Sequence, residues 1–288
     1  MAYLNQKKEM KKLLILTDFS ANAAHAEAAA LRLSACLSTD VILYHTFTYI
    51  PMVLGNMEGP LITADMLFQD SLEQLKKEAH RLNKLGAQIE GCQTHIDCKT
   101  GDGSLAENVR DLTSDGEVHM VVMGGRTGGA LDHLLTGSDT AAVIRRSHKP
   151  VWVIPGAADW DLPKKVVFAT DFSFIDMPAV DFLLDLAKNL HFELEIVHVL
   201  RSGEVVTEIG SEIAFRKFLV HRGLTYIQVF GEAVHLALQQ YCTEHQADLL
   251  ALSHQHHSFL SSLFGHSESK AAIAQRRLAV IVFPPDYN

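Results

Sequence analysis

The sequence predicts an α/β protein of two tandem domains, each an open parallel sheet with helices on both faces. Three observations carry that reading. The segment Lys11-Lys12-Leu13-Leu14-Ile15-Leu16-Thr17-Asp18-Phe19-Ser20 returns as Lys164-Lys165-Val166-Val167-Phe168-Ala169-Thr170-Asp171-Phe172-Ser173, an offset of 153 residues. Near the end of each half, Lys149-Pro150-Val151-Trp152-Val153-Ile154-Pro155 matches Leu278-Ala279-Val280-Ile281-Val282-Phe283-Pro284 at an offset of 129, so the first half is longer by 24 residues. Between these anchors, short wholly apolar runs alternate with helical patterns, which is how strands buried on both faces of a parallel sheet read.

In the first half, Leu13 to Leu16, Val41 to Thr46, Met120 to Met123 and Val151 to Ile154 are such strands. Ala21 to Leu37 is dense in Ala and Leu and reads as a helix. Ser71 to Leu85 carries Leu72, Leu75, Ala79, Leu82 and Leu85 at helical spacing, with Gly86 placed to stop it. A third helix starts after Gly103 with Ser104 as cap and runs towards Leu112, and a fourth spans about Ser138 to Ser147. The second half repeats the plan with strands Val166 to Thr170, Leu194 to Leu200, Tyr226 to Val229, Leu249 to Leu252 and Val280 to Phe283. Its helices are Pro178 to Leu190, Ala233 to His245 and Glu268 to Gln275. Gly156 to Leu162 has linker composition, which puts the domains at 1–157 and 158–288. The extra 24 residues fall after the second strand, where the apolar loop Phe47 to Ile62 is either a lid or a patch that packs on the partner domain.

A chain of 288 residues is long enough for two ordinary cores, and a formal net charge of −9 argues against a nucleic-acid partner. With no long apolar run, no membrane association is expected. Cys36, Cys92, Cys98 and Cys242 have no metal-ligand spacing and read as free buried thiols of a cytoplasmic protein.

Ligands of open parallel sheets sit outside the carboxyl ends of the strands. There the first half carries Asp18, Thr46 and the run Met123-Gly124-Gly125-Arg126-Thr127-Gly128-Gly129, followed by Gly137-Ser138-Asp139 at a helix start. Glycines let backbone amides approach an anion, and a helix N-terminus favours a phosphate. The ordinary reading of the same residues is a loop and a helix cap, and an aspartate beside Ser20 also suits capping. His45 and His198 follow strands at matched positions and read as satisfied buried histidines. No nucleophile elbow, Walker lysine or Gly-x-Gly-x-x-Gly turn is present, so no enzyme is expected.

The repeated Thr-Asp-Phe-Ser, the Met-Gly element followed by Gly137-Ser138, and the closing Lys-Pro-Val-Trp-Val-Ile resemble the universal stress proteins, in particular their tandem members. The resemblance implies two Rossmann-like domains of the adenine nucleotide alpha hydrolase type, each with a five-stranded parallel sheet. It also implies ATP binding, with magnesium as counter-ion, in a regulatory stress-response module. By resemblance Asp18 and Thr46 border the adenine and Met123 the ribose. Gly124, Gly125, Arg126, Thr127, Gly128, Gly137, Ser138 and Asp139 surround the phosphates. Replacing Gly124 by valine is expected to abolish binding while leaving thermal unfolding nearly unchanged. Two departures stand out: Thr127 falls where the family has its second glycine, and Asp139 puts a carboxylate beside the phosphate end. In the family the last strands pair between subunits, so the two domains here are expected to pair through theirs, and the unit to form a homodimer in turn.

The second half has lost the glycines: Gly124 becomes Ser253, Thr127 becomes His256 and Gly137 becomes His266. One site per chain is therefore expected, in the first domain. His254, His256, His257 and His266 are either solvated imidazoles or, if they converge, ligands for zinc. The alternative for the whole chain is an interaction scaffold that binds no nucleotide.

Overall fold

The structure, a computed structural model, describes residues 11–50, 63–125, 138–156, 161–174, 176–201, 210–253, 278–285 and 287. The first half runs β1 (Lys12–Leu16), α1 (Ala21–Leu37), β2 (Asp40–Phe47), α2 (Ala64–Gly86), β3 (Ile96–Asp102), α3 (Leu105–Thr113), β4 (Val118–Gly124), α4 (Ser138–Arg146) and β5 (Val151–Ile154). The second runs β6 (Lys165–Ala169), α5 (Asp176–Leu190), β7 (Glu193–Arg201), α6 (Gly210–Val220), β8 (Tyr226–Gly231), α7 (Val234–Glu244), β9 (Leu249–Ser253) and β10 (Ala279–Phe283).

Two elements escape the sequence pattern. Ile96-Asp97-Cys98-Lys99-Thr100-Gly101-Asp102 has no apolar run because β3 is the sheet's outer strand and is buried on neither face. The α6 segment carries apolar residues around most of its circumference and lacks a clean stripe. The second helix also starts at Ala64, capped by the Thr63 hydroxyl, two turns before the first apolar repeat. The expected helix Glu268 to Gln275 lies outside the described residues.

Each half forms a parallel sheet in the order 3-2-1-4-5, but the two are not separate. Strand β5 pairs antiparallel with β10, giving one ten-stranded sheet in the order β3-β2-β1-β4-β5-β10-β9-β6-β7-β8. The ladder joins Val151 to Val282, Trp152 to Ile281 and Val153 to Val280. Trp152 and Ile281 are repeat equivalents, so a pseudo-twofold axis passes between them and exchanges the halves. Pairing removes two apolar edges that would otherwise be exposed, and every side chain of both strands is buried.

The core continues across this seam on both faces. Leu13, Ile15, Trp152, Phe168 and Phe283 belong to one layer, and Leu14, Val121, Val153, Val167 and Val280 to the other. At the seam His119 packs on Phe182 of α5, with ring centroids 4.9 Å apart. Burial, aided by Lys11 and Lys149, pulls the His119 pKa down to about 4. Of the cysteines, Cys242 is buried with its thiol pushed up to about 12, whereas Cys36 is exposed, contrary to the expectation of four buried thiols. Its place on the outer face of α1 makes it a surface residue.

Candidate functional site

The repeated Thr-Asp-Phe-Ser is first of all a turn. The Thr17 hydroxyl accepts the Phe19 N–H at 3.0 Å, the Asp18 carboxylate accepts the Ser20 N–H at 2.9 Å, and the Ser20 hydroxyl caps α1 by accepting the Ala23 N–H at 3.2 Å. These bonds hold Phe19 at φ 61°, a left-handed conformation that an aromatic residue rarely adopts. His45 locks the turn from the next strand: its Nδ1 lies 2.8 Å from the Thr17 carbonyl oxygen, and its ring stacks on Phe19 at 4.5 Å. A carbonyl only accepts, so Nδ1 carries the proton, and Nε2 is the acceptor of the neutral ring.

Above this turn lies a cleft of about 490 Å³, within the range of small-molecule sites, roughly 300–1,000 Å³. It sits at the carboxyl ends of β1, β2 and β4, where the strand order reverses between β1 and β4. Asp18, Thr46, Met123, Gly124, Gly125 and Asp139 all line it. The expected residues from four separate segments thus converge on one cavity.

Three helices present their N-termini to the cleft: α1 through Ser20, Asn22 and Ala23, α3 through Ser104 to Ala106, and α4 through Asp139 and Thr140. Their partial positive charges sum at one place, which favours an anion. Ser104 holds the N-cap position of α3 as expected, but its side chain makes no capping bond. The α3 terminus was not foreseen as part of the site. Gly103-Ser104 signals the helix start, but only β3, which has no apolar run, brings that start beside Thr46.

Two expectations for the glycines need correction. Gly124 has no positive φ; it is glycine because the end of β4 passes against the first turn of α1. A β-carbon there would lie 2.7 Å from the Asn22 carbonyl oxygen and 3.1 Å from the Ala23 nitrogen, both backbone atoms. Gly124→Val therefore cannot spare thermal unfolding as expected. Gly125 donates its N–H to the Ile154 carbonyl at 2.8 Å, which commits that amide to the sheet and withdraws it from a phosphate cradle. Arg126, Thr127, Gly128 and Gly137 lie outside the described residues, as does the side chain of Ser138.

The second half repeats the turn and changes the residues beside it. The Thr170 hydroxyl accepts the Phe172 N–H, Asp171 accepts the Ser173 N–H, Phe172 sits at φ 66°, and His198 Nδ1 lies 2.8 Å from the Thr170 carbonyl oxygen. Where the first half has Ala23 facing Gly124, the second has Asp176 facing Ser253. Both are fully buried. The Asp176 carboxylate accepts the Ser253 hydroxyl at 2.7 Å, the Thr170 hydroxyl at 2.6 Å and the Ser173 N–H at 3.2 Å. The hydrogen bonds of this polar knot offset the cost of burying the carboxylate. His254, His256, His257 and His266 lie outside the described residues; among the described residues no group of three or more His, Cys, Asp or Glu could hold a metal ion. No described helix is long and apolar enough to cross a membrane.

The fold agrees with the comparisons to known proteins. Residues 9–155 match the model of the universal stress protein family, and the chain belongs to that family. A universal stress protein from Archaeoglobus fulgidus DSM 4304 superposes with a TM-score of 0.65 at 17% identity, covering 95% of this chain and 98% of its own. A functionally unknown protein from Pseudomonas aeruginosa PAO1 superposes with a TM-score of 0.56 at 13% identity, covering 96% and 93%. At these identities the likeness is one of fold, and it extends over both halves. No curated protein sequence matches the chain significantly.

Proposed function

We propose that the chain is a cytoplasmic regulatory module of the stress response that binds one adenine nucleotide, ATP with magnesium, in the cleft of its first half. The observation that carries this reading is the first-half cleft, a cavity of about 490 Å³ ringed by three helix N-termini. In the second half the glycine at the end of β4 is replaced by Ser253, which hydrogen-bonds Asp176. Family membership supports the stress-response role. The polar edges of His45 and Thr46 suit a purine, Met123 offers a soft apolar wall, and the helix termini suit phosphate. Asp18 and Asp139 are exposed carboxylates at the same cleft, so a polyphosphate there needs a divalent cation between it and Asp139.

A second reading, an interaction scaffold without nucleotide, is favoured by those carboxylates and by the committed Gly125 amide. Mass spectrometry of small molecules released by heating the purified chain separates the two. The binding reading expects an adenine nucleotide, or its uptake when the stripped protein is titrated with magnesium-ATP. The scaffold reading expects neither at about 1 mM nucleotide.

A further inference from the structure

With β5 and β10 joined, the ten-stranded sheet ends, among the described residues, in two unpaired edges, β3 and β8, and they differ in kind. Strand β3 carries Asp97, Lys99 and Asp102 within its seven residues, the charge protection that natural edges use against pairing. Strand β8, Tyr226-Ile227-Gln228-Val229-Phe230-Gly231, has no charge at all. Around it lie five of the nine large hydrophobic side chains exposed among the described residues: Ile213 and Val220 of α6, Ile227 and Phe230 of β8, and Leu236 of α7. Phe230 is 75% exposed and Val220 64%.

The apolar surface wraps the edge on both faces of the sheet. Tyr226 packs into the layer of Phe215 and Leu219 on the α6 face, so Phe230, four residues on, projects to that face. Val229 packs into the opposite layer with Ala237 of α7, so Ile227 shares that face with Leu236. Beside the strand on the α6 face a groove of about 380 Å³ runs past Leu219, Val220 and Leu224.

We propose that the β8 edge is the dimer interface of this protein, occupied by β8 of a second copy pairing antiparallel across a twofold axis. A single added peptide strand would satisfy the ladder but leave Val220 and Leu236 uncovered above and below it. An occupant that covers both flanks is itself a sheet edge with apolar helices on either side, and this chain carries one. Self-pairing also sets each strand against its own residues, which an uncharged strand tolerates without like-charge repulsion. The seam at Trp152 and Ile281 is the same construction inside one chain, an antiparallel pairing of two apolar edges about an axis. The dimer is then a continuous sheet of two such units end to end, with the first-half clefts remote from the contact.

Sedimentation equilibrium of the full chain tests this. The wild type is expected to have twice the chain mass at about 100 µM, with little dependence on salt. The double variant Ile227→Lys, Phe230→Lys replaces exposed side chains and is expected to fold as the wild type does by circular dichroism and to sediment as a monomer. Val220→Glu alone, on the helix flank, is expected to weaken association at least tenfold, and Lys99→Glu at the β3 edge to leave it unchanged. A wild type that stays monomeric at that concentration, or a dimer that survives the double variant or is lost in the Lys99 variant, overturns the proposal. So does a monomer that captures an extended peptide at β8.

Discussion

Replacing Gly124 by alanine should disturb folding and binding together. The added β-carbon would start 2.7 Å from the Asn22 carbonyl oxygen and 2.8 Å from its carbonyl carbon. Ordinary contact requires at least 3.4 Å, a separation of about 0.7 Å more. The blocking atoms are backbone of the first turn of α1, so no rotamer change relieves them; either β4 or α1 must move. Overpacking of this kind costs roughly 1–3 kcal/mol. At about 2–4 °C per kcal/mol for a chain of this size class, melting should fall by about 2–12 °C. Because Asn22 and Ala23 line the cleft, the same displacement should weaken magnesium-ATP binding, read by titration calorimetry at a temperature where both proteins are folded. Ser253→Ala at the equivalent position should also lower the melting temperature, by removing a hydrogen bond to the buried Asp176 carboxylate at roughly 1–3 kcal/mol, but leave nucleotide affinity unchanged. Equal melting temperatures for Gly124→Ala and wild type would refute the close-approach argument.

Three further outcomes are expected. His119 is neutral in the folded chain with its pKa lowered to about 4, so the contribution it makes is present above about 6.5 and is lost as pH falls towards 4. Urea unfolding should thus weaken across that window by roughly 1–2 kcal/mol once solvent screening of the partly exposed ring is allowed for, and His119→Phe should lack that part of the pH dependence. Ser38 ends α1 in the left-handed conformation at φ 51° and ψ 49°, so Ser38→Gly should stabilise by about 1 kcal/mol in chemical denaturation; destabilisation would contradict the cap geometry. Asp139→Asn removes an exposed carboxylate from the cleft and should tighten ATP several-fold in the absence of magnesium, while costing about 0.5 kcal/mol of helix stability.

The sequence made the sheet legible because β1, β4, β5 and their repeats are buried on both faces and consist almost entirely of apolar residues. It concealed β3 because an outer strand needs no such run, and with it the arrival of the α3 N-terminus at the cleft. Asp18, Thr46, Met123 and Asp139 were readable as site residues from their positions after strands and at a helix start. Why Gly124 is glycine was not, since packing of β4 against α1 is a tertiary fact with no local signature. The difference between the two halves was legible as missing glycines. Its physical means was not: Asp176 stands in a helix start where an acidic residue is ordinary, and only the fold brings Ser253 and Thr170 onto it.

The proposal that the chain binds one nucleotide, in the cleft of its first half, is tested most directly by counting and locating bound nucleotide. Magnesium-ATP titrated into the stripped chain should saturate at one equivalent, and photolabelling with an azido-adenine analogue should mark peptides of the first half that contain Thr17 to Thr48 or Met123. Two equivalents, no binding at about 1 mM, or label on peptides around Thr170 or Ser253 would contradict the account.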